Sequence, residues 1–597
     1  QIMVTESKPF FLFDTDQTQI DLQKKGNPYR ITLEMTANPI WYAVQALPTV
    51  SQPDNDNVIS WFNAYYTNTL ASYIASANPR IQQMISQWKA KGGTASTLYS
   101  NLQKNEELKT ILLQETPWVL EAENETEQKQ RLELLFDMNR ATQMRDAALQ
   151  QLIQQQTSDG GWAWFKGMFA SREITSYILG GMSQLEKLGA VKYTEDERMM
   201  QKRAVEFLDK RIQEDFKDLK KYDSSWQKAI LTGDQLNYLF VRSSYRDIPE
   251  PTSAREAIRF YTESARRNWN KFSYYGRGEI ALLLHRNGNE QIVKDIMAWL
   301  RKTATISSEK GMYWANNRRE GYSFVSPIST HCLLMEVFHE ISPVLTETNQ
   351  LKQWLLIQKR TQNWETAPST VNAIYALLLT GSDWLKVNNE CIAQWGDKIF
   401  SSNEGETGTG YLKVAVQGES ISSTGNVITI HKKQSTPVWG AVYEQYFTDL
   451  SLVEKKKGVL NVEKKLFIET NNGSERQLQA VSPSQSLKVG DKIVVRLTVR
   501  TDREMNYVFL KDLHAGFFEA NNQVSRTVYR DRVWYYESPT DVSENFFFDR
   551  LPQGTYVLEY SGYISRKGQF TSGISTIQCL YAPEYVSHTE GGTVVVR

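Results

Sequence analysis

Gln156-Thr157-Ser158-Asp159-Gly160-Gly161-Trp162-Ala163-Trp164 is the stretch whose reading decides the fold. A helix-like run, 141–153, precedes it. A Ser-led run follows from Ser171, with Ile174, Tyr177, Ile178, Gly181, Met182, Leu185 and Leu188 on one stripe. A short Gly turn carrying a Trp between two helices closes a helical hairpin and sets an aromatic plug between helical layers. The Gln156 amide is then placed to bond free backbone groups at a helix end. Gln156, Gly160, Gly161, Trp162 and Trp164 are therefore the signature-turn residues. The Gln-to-Trp spacing returns at Gln358 and Trp364, and a worn copy sits at Ser307, Gly311 and Tyr313. Repeated hairpins of this kind predict a closed ring, an α/α toroid.

Outward from this turn the helical period runs from Asn38-Pro39 to about Trp384. Asn38 or Ser60 are placed to open helices, and 63–85 is helical with a break at Asn78-Pro79. Further helices are expected over 110–120, 127–136, 194–216, 224–243, 253–268, 272–286, 290–303, 330–341 and 366–380. Short β-prone runs flank this block: 9–37 before it, and 411–416, 426–430 and 438–442 after it. Neither flank has strands enough for a domain, so the two are expected to pair, with the helices inserted between them. From about Leu460 the chain reads as all β. Ile493, Val495, Leu497 and Val499 alternate after the turn Lys488-Val-Gly490-Asp491, and Tyr556, Leu558 and Tyr560 after Leu551-Pro-Gln-Gly554, as in a β-sandwich.

The 597 residues suffice for several domains, and 68 basic against 68 acidic residues leave no electrostatic case for nucleic acid or a membrane surface. Sixteen Trp and 29 Tyr point first to packing, and second to a partner or sugar surface. Cys332, Cys391 and Cys579 are too far apart for a disulfide framework or a zinc pattern. The chain shows no signal peptide and no apolar run of membrane length, and it starts at Gln1 in sequence typical of mid-domain. The expectation is a piece of a longer precursor, with any membrane attachment made by an N-terminal anchor outside it.

Asn38-Pro-Ile-Trp-Tyr-Ala-Val-Gln-Ala-Leu-Pro48 and Asp159-Gly-Gly-Trp-Ala-Trp-Phe165 resemble segments of the bacterial α2-macroglobulin family, of the Bacteroides-like branch. So do Trp364-Glu-Thr366, Glu544-Asn-Phe-Phe-Phe-Asp549, Leu551-Pro-Gln-Gly-Thr-Tyr556 and Tyr581-Ala-Pro-Glu584, in the same order along the chain. The resemblance implies a multidomain α and β architecture. An α/α-toroid thioester-type domain (38–385) would be inserted in a CUB-like β-domain (1–37 and 386–455) and followed by a macroglobulin-like, receptor-binding-type β-sandwich (456–597). It also implies a Cys-x-Glu-Gln thioester just before a helix like Ala64-Tyr-Tyr-Thr-Asn-Thr-Leu-Ala71. The matching positions here are Asn57, Val58, Ile59 and Ser60, and no Cys occurs before residue 332. A degenerate thioester position follows. The implied function is that of an envelope, periplasmic endopeptidase inhibitor or protease-binding protein, acting non-covalently and without a catalytic residue, metal or cofactor. Its partners would be proteases or envelope proteins.

The remaining constellations are weak. His331-Cys332 on an apolar helix reads as packing, Asp14-Thr-Asp16 as a solvated turn, and Gly160-Gly161 lacks the Lys-Ser/Thr of a phosphate cradle. Trp162 and Trp164 together read as hairpin packing ahead of a ligand platform. Asn124-Glu-Thr126 and Asn472-Gly-Ser474 fit glycosylation acceptors by pattern alone. Two alternatives stay open. One is a polysaccharide lyase, another class that joins a toroid to sandwiches, with His331, Tyr313, Asn316 and Arg318 as the residue types. The other is a non-inhibitory envelope scaffold.

Overall fold

The computed structural model of the chain describes all residues except 14, 45, 78–82, 84–85, 87–136, 319–324, 362–363, 365, 382–388, 435, 473–474 and 483–486. The helices expected over 110–120 and 127–136, the Asn78-Pro79 break, Asn124-Glu-Thr126 and the boundary near Trp384 lie outside the described residues. So do Asp14 and two residues of Asn472-Gly-Ser474.

The ring is built from helices α1 (Val58–Ala77), α2 (Met138–Gln155), α3 (Arg172–Lys187), α4 (Glu195–Tyr222), α5 (Gly233–Arg242), α6 (Arg255–Asn268), α7 (Tyr274–Arg286), α8 (Glu290–Thr303), α9 (Pro327–Ile341), α10 (Leu345–Thr361) and α11 (Ala367–Gly381). The odd-numbered helices each pack on the next, and α11 returns to α1. They form a closed inner layer. Helices α2, α4, α6, α8 and α10 back the helices that precede them in that layer. The division follows composition. Helix α9 is buried from Ile328 through Phe338, and α11 is buried over nearly all its length, as helices apolar on every side must be. Helix α4 instead has one buried stripe, through Met200, Ala204, Phe207, Leu208 and Ile212.

Helix starts are set by side-chain caps. Ser171, Ser273 and Ser326 each accept a hydrogen bond from a backbone N–H in the first turn. Thr194 with Glu197, and Thr232 with Gln235, form full capping boxes. The Thr232 box corrects the helix expected over 224–243: the α-helix opens only at Gly233, and Trp226–Lys228 is a separate 3-10 turn. Helix α10 was not expected from the sequence at all.

Glu279 on α7 is enclosed and accepts one hydrogen bond, from Asn237 Nδ2 on α5 at 2.8 Å. Burial pushes its carboxyl up to about 8, against that one bond. With the folded pKa raised, the stabilising contribution is whole below about pH 4.5, declines as pH rises, and is lost above about pH 8. By pH 7 the loss is about 3 kcal/mol. Glu279→Gln keeps an acceptor for Asn237. It is expected to flatten the pH dependence of the urea midpoint across this window and to raise the midpoint at its alkaline end. An unchanged profile would assign the dependence to another group.

Strands from both sides of the helical block share the first two sheets. They are β1 (Ile2–Leu12), β2 (Gln17–Asp21) and β3 (Asn27–Thr36) before the ring. Within the ring β4 (Thr305–Ser307) and β5 (Gly311–Tyr313) form a ribbon. After it come β6 (Cys391–Trp395), β7 (Lys398–Ser401), β8 (Leu412–Gln417), β9 (Val427–Lys432) and β10 (Val438–Thr448). The sheet orders are β1-β10-β3-β8 and β2-β9-β6-β7, all antiparallel. Ile2 lies opposite Thr448, and Leu12 opposite Val438. The two sheets enclose one core, with Leu12, Leu33, Trp395, Ile428 and Val442 among its members. Where the chain enters and leaves the helical block, Asn38 Oδ1 accepts from Asn389 N at 3.2 Å, and Asn389 Nδ2 donates to Ala37 O at 3.2 Å.

The last unit is a sandwich. Strands β11 (Leu460–Asn472), β12 (Glu475–Ala480), β13 (Lys492–Thr501), β14 (Met505–Leu513), β15 (Phe518–Ala520), β16 (Arg526–Arg530), β17 (Val533–Pro539), β18 (Ser543–Leu551), β19 (Gly554–Ile564), β21 (Ser575–Cys579) and β22 (Val586–His588) supply two main sheets, while β20 (Gly568–Thr571) pairs with β23 (Thr593–Val596) in a small ribbon. Their orders are β12-β11-β13-β19-β15 and β16-β17-β18-β14-β21-β22. Ile493, Val495, Leu497 and Val499 all face the shared core, opposite Val508, Leu510, Phe546 and Phe548. A wholly buried carboxylate crosses it: Asp512 accepts from Lys464 Nζ at 2.7 Å, Ser575 Oγ at 2.7 Å and Tyr560 OH at 2.5 Å.

The ring, the split β-unit and the sandwich meet at Arg360 of α10. Its Nε lies 2.5 Å from Glu584 Oε1 of the sandwich, and its guanidinium carbon lies 5.1 Å from the ring centroids of both Phe11 and Trp439 of the β-unit. A second pair of contacts joins ring to sandwich, Lys310 to Asp502 at 2.5 Å and Arg503 to Glu309 at 2.9 Å.

Candidate functional site

The four positions Asn57–Ser60 open α1. Asn57, not Ser60, is the cap: its Oδ1 accepts from Ser60 N at 2.7 Å, leaving Ser60 in the first turn. The preceding residues complete the end. Asn57 N donates to Asn55 Oδ1 at 3.0 Å, the Ser60 hydroxyl donates to the Asp54 carboxylate, and Trp61 Nε1 donates to Asp56 Oδ1 at 2.8 Å. Acidic groups before a helix N-terminus also meet the positive end of its dipole. Val58 and Ile59 are buried, and Asn57 and Ser60 nearly so.

The signature turn is held by its own backbone. Gly160 has φ +96°, and a Cβ there would lie 2.3 Å from the Arg203 carbonyl oxygen, so only glycine fits. Gln156 Nε2 donates to Gly160 O at 2.8 Å and to Met200 O on α4 at 2.9 Å, tying the turn to the next hairpin. Trp162 is 0% exposed. Its Nε1 donates to Leu152 O at 2.8 Å, its main-chain N to Thr175 Oγ1 at 2.9 Å, and its carbonyl accepts from Ser171 N at 2.8 Å. Trp162 is the plug. Trp164 is not: it is 37% exposed, at the start of a loop where Phe165 and Met168 are exposed and Phe169 is 97% exposed.

The two stretches touch. Val58 N donates to Trp164 O at 3.2 Å. One turn further on, Phe62 lies against Gly181 of α3, where a Cβ would come within 2.5 Å of the ring, and Tyr177 OH donates to Asn63 Oδ1 at 2.7 Å. The start of α1 thus rests on the turn and on the helix that the turn introduces.

The copies of the turn differ from their expected form. In the β4–β5 ribbon Gly311 has φ +70° and abuts the Gln350 carbonyl, but the plug is Trp314, with Nε1 donating to Leu300 O at 3.0 Å. Tyr313 is half-buried and stacks on Trp354 at 6.4 Å. Strand alternation explains the correction: Met312 and Trp314 share the inward face, so Tyr313 faces away. Trp364 is buried, and three residues around it lie outside the described ones.

His331 is enclosed by Trp354 at 4.2 Å and Trp314 at 5.9 Å, and its Nε2 pairs with Leu351 O at 2.9 Å. Burial pulls it down to about 4, against the hydrogen bond. Asn316 and Arg318 are exposed, whereas His331 is sealed in the helical core. The three thiols are buried and free, on α9, β6 and β21, and burial raises each, Cys391 and Cys579 to about 12. Among the described residues no cluster of three potential metal-ligating side chains occurs, and no helix is long and apolar enough to cross a membrane.

Residues 460–584, which include most of the sandwich, match the Bacterial Alpha-2-macroglobulin MG10 domain. The fold is similar to native alpha-2-macroglobulin from Escherichia coli spanning domain MG7 to the C-terminus. That similarity has 14% identity, covers 100% of this chain and 82% of that one, and has a TM-score of 0.38. For trypsin-activated alpha-2-macroglobulin from Escherichia coli the figures are 13%, 99%, 36% and 0.46. For Salmonella alpha-2-macroglobulin reacted with methylamine they are 14%, 99%, 34% and 0.37. Circularly permutated Ras protein 2 of Dictyostelium discoideum is 24% identical over 195 residues, 30% of this chain and 5% of that protein. The chain therefore spans a small part of that curated relative and about a third of the two longer macroglobulin structures. Through residues 460–584, its sandwich therefore matches a domain of the bacterial alpha-2-macroglobulins.

Proposed function

We propose that this chain is the C-terminal portion of a bacterial envelope protein that binds proteases and holds them without a covalent bond. The observation that carries the reading is the chemistry at Asn57-Val58-Ile59-Ser60. An intramolecular thioester needs a thiol and a Gln amide on one turn. This turn offers an amide used as a cap, a hydroxyl bonded to Asp54, and no sulfur. The nearest cysteine in sequence is Cys332, buried on α9. Relatives of similar fold are described as activated by trypsin and by porcine elastase, and one as reacted with methylamine. Protease engagement is carried over to this chain from those descriptions, while covalent capture is not. The ring then serves as a docking and structural module, and the chain has no catalytic role.

The test is to make the full precursor, incubate it with a broad-specificity protease, and follow retention by native mass and by denaturing gel. Retention that survives natively and disappears on denaturation is the expected result. Adducts that persist in the denaturing gel would overturn the non-covalent mode. No retention in either would overturn protease binding and leave a scaffold in the envelope.

A further inference from the structure

The hairpin of β16 and β17 carries an exposed aromatic surface outside the ring and its signature turn. Tyr529 and Trp534 lie opposite each other in its register, with ring centroids 4.8 Å apart. Val533 and Tyr535 turn inward to the core, so the pair lies on the outer sheet face, 57% and 62% exposed. Further rings continue across the same sheet. Tyr536 lies 6.2 Å from Phe547, and Phe547 stacks on Phe509 at 4.8 Å.

The turn joining the strands is charged. Arg530, Asp531 and Arg532 are all exposed, and among the described residues no ion pair is made by either arginine. Arg526, at the other end of β16, is bonded to Glu537 at 2.8 Å. Asp531 and Arg532 have φ +52° and +65°. Two-residue hairpin turns of this shape favour Asn-Gly or Asp-Gly, because glycine takes positive φ without strain. Here an arginine occupies the glycine position. Backbone strain held at an exposed charged tip is a lead to a side chain with a function.

We propose that this hairpin binds an acidic polysaccharide. The apolar faces of its sugar rings lie on Trp534 and Tyr529, and its carboxylates are held by Arg530 and Arg532. Rigid amphipathic rings supply contact at low entropic cost, and a guanidinium matches a carboxylate in a two-pronged bond. The charge selects an anionic chain. The rings stand on the sheet face and not along the β16 edge, where an added peptide strand would find its backbone partners.

The test is affinity electrophoresis of the full chain through gels containing polygalacturonate or neutral dextran, with polyglutamate as competitor. Retardation by polygalacturonate alone is expected, fading as salt screens the arginines. Trp534→Ala and Arg532→Gly should each weaken it about tenfold, the scale of one lost ring or one charge-assisted bond. Arg532→Gly relieves the turn and should raise the thermal midpoint of the sandwich, which separates lost binding from lost folding. Equal mobility in all gels would overturn the proposal, as would retardation indifferent to both substitutions. Displacement by polyglutamate that Trp534→Ala leaves unchanged would assign the surface to acidic peptides instead.

Discussion

Trp162→Ala is expected to destabilise the helical ring by about 3–5 kcal/mol, the range for emptying a buried aromatic site. The indole is wholly enclosed, and the surrounding helices are tied together through it. Its Nε1 satisfies the Leu152 carbonyl near the end of α2, and its main-chain groups bond Thr175 and Ser171 at the start of α3. Truncation therefore leaves a cavity and also removes one of two bonds to the Leu152 carbonyl, which keeps its bond from Gln156 N at 3.1 Å. Trp162→Phe separates the two terms, since it restores most of the volume and none of the bond. The measurement is urea denaturation followed by far-UV circular dichroism. A Trp162→Ala midpoint within about 1 kcal/mol of the parent would sink the idea that this ring organises the hairpins.

Arg360→Met has a comparable expected cost, about 3–5 kcal/mol, for a different reason. The guanidinium is buried between Phe11 and Trp439 and paired with Glu584, itself enclosed. Nearby Glu34, pushed up by burial first, feels the Glu584 charge as a further upward push against the pull of Lys413. Removing the cation leaves an anion in a dry junction that already holds a second carboxyl. Replacing both partners, Arg360→Met with Glu584→Gln, removes the stranded charge and should recover most of the loss. Because three units share the junction, hydrogen exchange of β10 and of residues 580–585 should accelerate in the single variant and return toward the parent in the double one. A double variant as damaged as the single one would show that packing, not charge, holds the junction.

Much of the fold was legible in the sequence because its signals are local. Ser171 and Thr194 announce helix starts by side-chain chemistry, and the β-strands of the sandwich alternate as they should, whereas the caps Thr232 and Ser326 sit away from the starts expected at 224 and 330. Helix α10 was missed because its buried face is mixed. Lys352, Gln353 and Gln358 are buried among Leu351, Leu355 and Leu356, which breaks the apolar stripe. Gln353 has work there, donating to Ser308 O and Glu309 O at 2.7 and 2.8 Å. In the second turn a two-residue strand period placed Trp314 inward where spacing alone had chosen Tyr313. The contact between Val58 and Trp164 was not legible at all, since nothing in either stretch names the other. Trp162 and Trp164 read alike in sequence, and only the closing of the ring decides that one is sealed and the other faces solvent.

The pairing of β1 with β10 has a consequence for how the chain is born. Ile2 finds its partner at Thr448, so β1 leaves the ribosome long before the strand it pairs with in the folded chain, which follows only after the whole ring and most of the β-unit. At about 5–20 residues per second, that interval lasts on the order of 20–90 s. During it, Val4, Phe10 and Leu12 lack the β10 strand that buries them in the folded chain, the condition under which nascent strands aggregate. Closing a loop of this length is a slow, late step. Synthesis therefore favours a ring that completes itself first and then delivers β8, β9 and β10 to strands that have been waiting, so that a lesion in the ring shows itself as a β-unit that never closes.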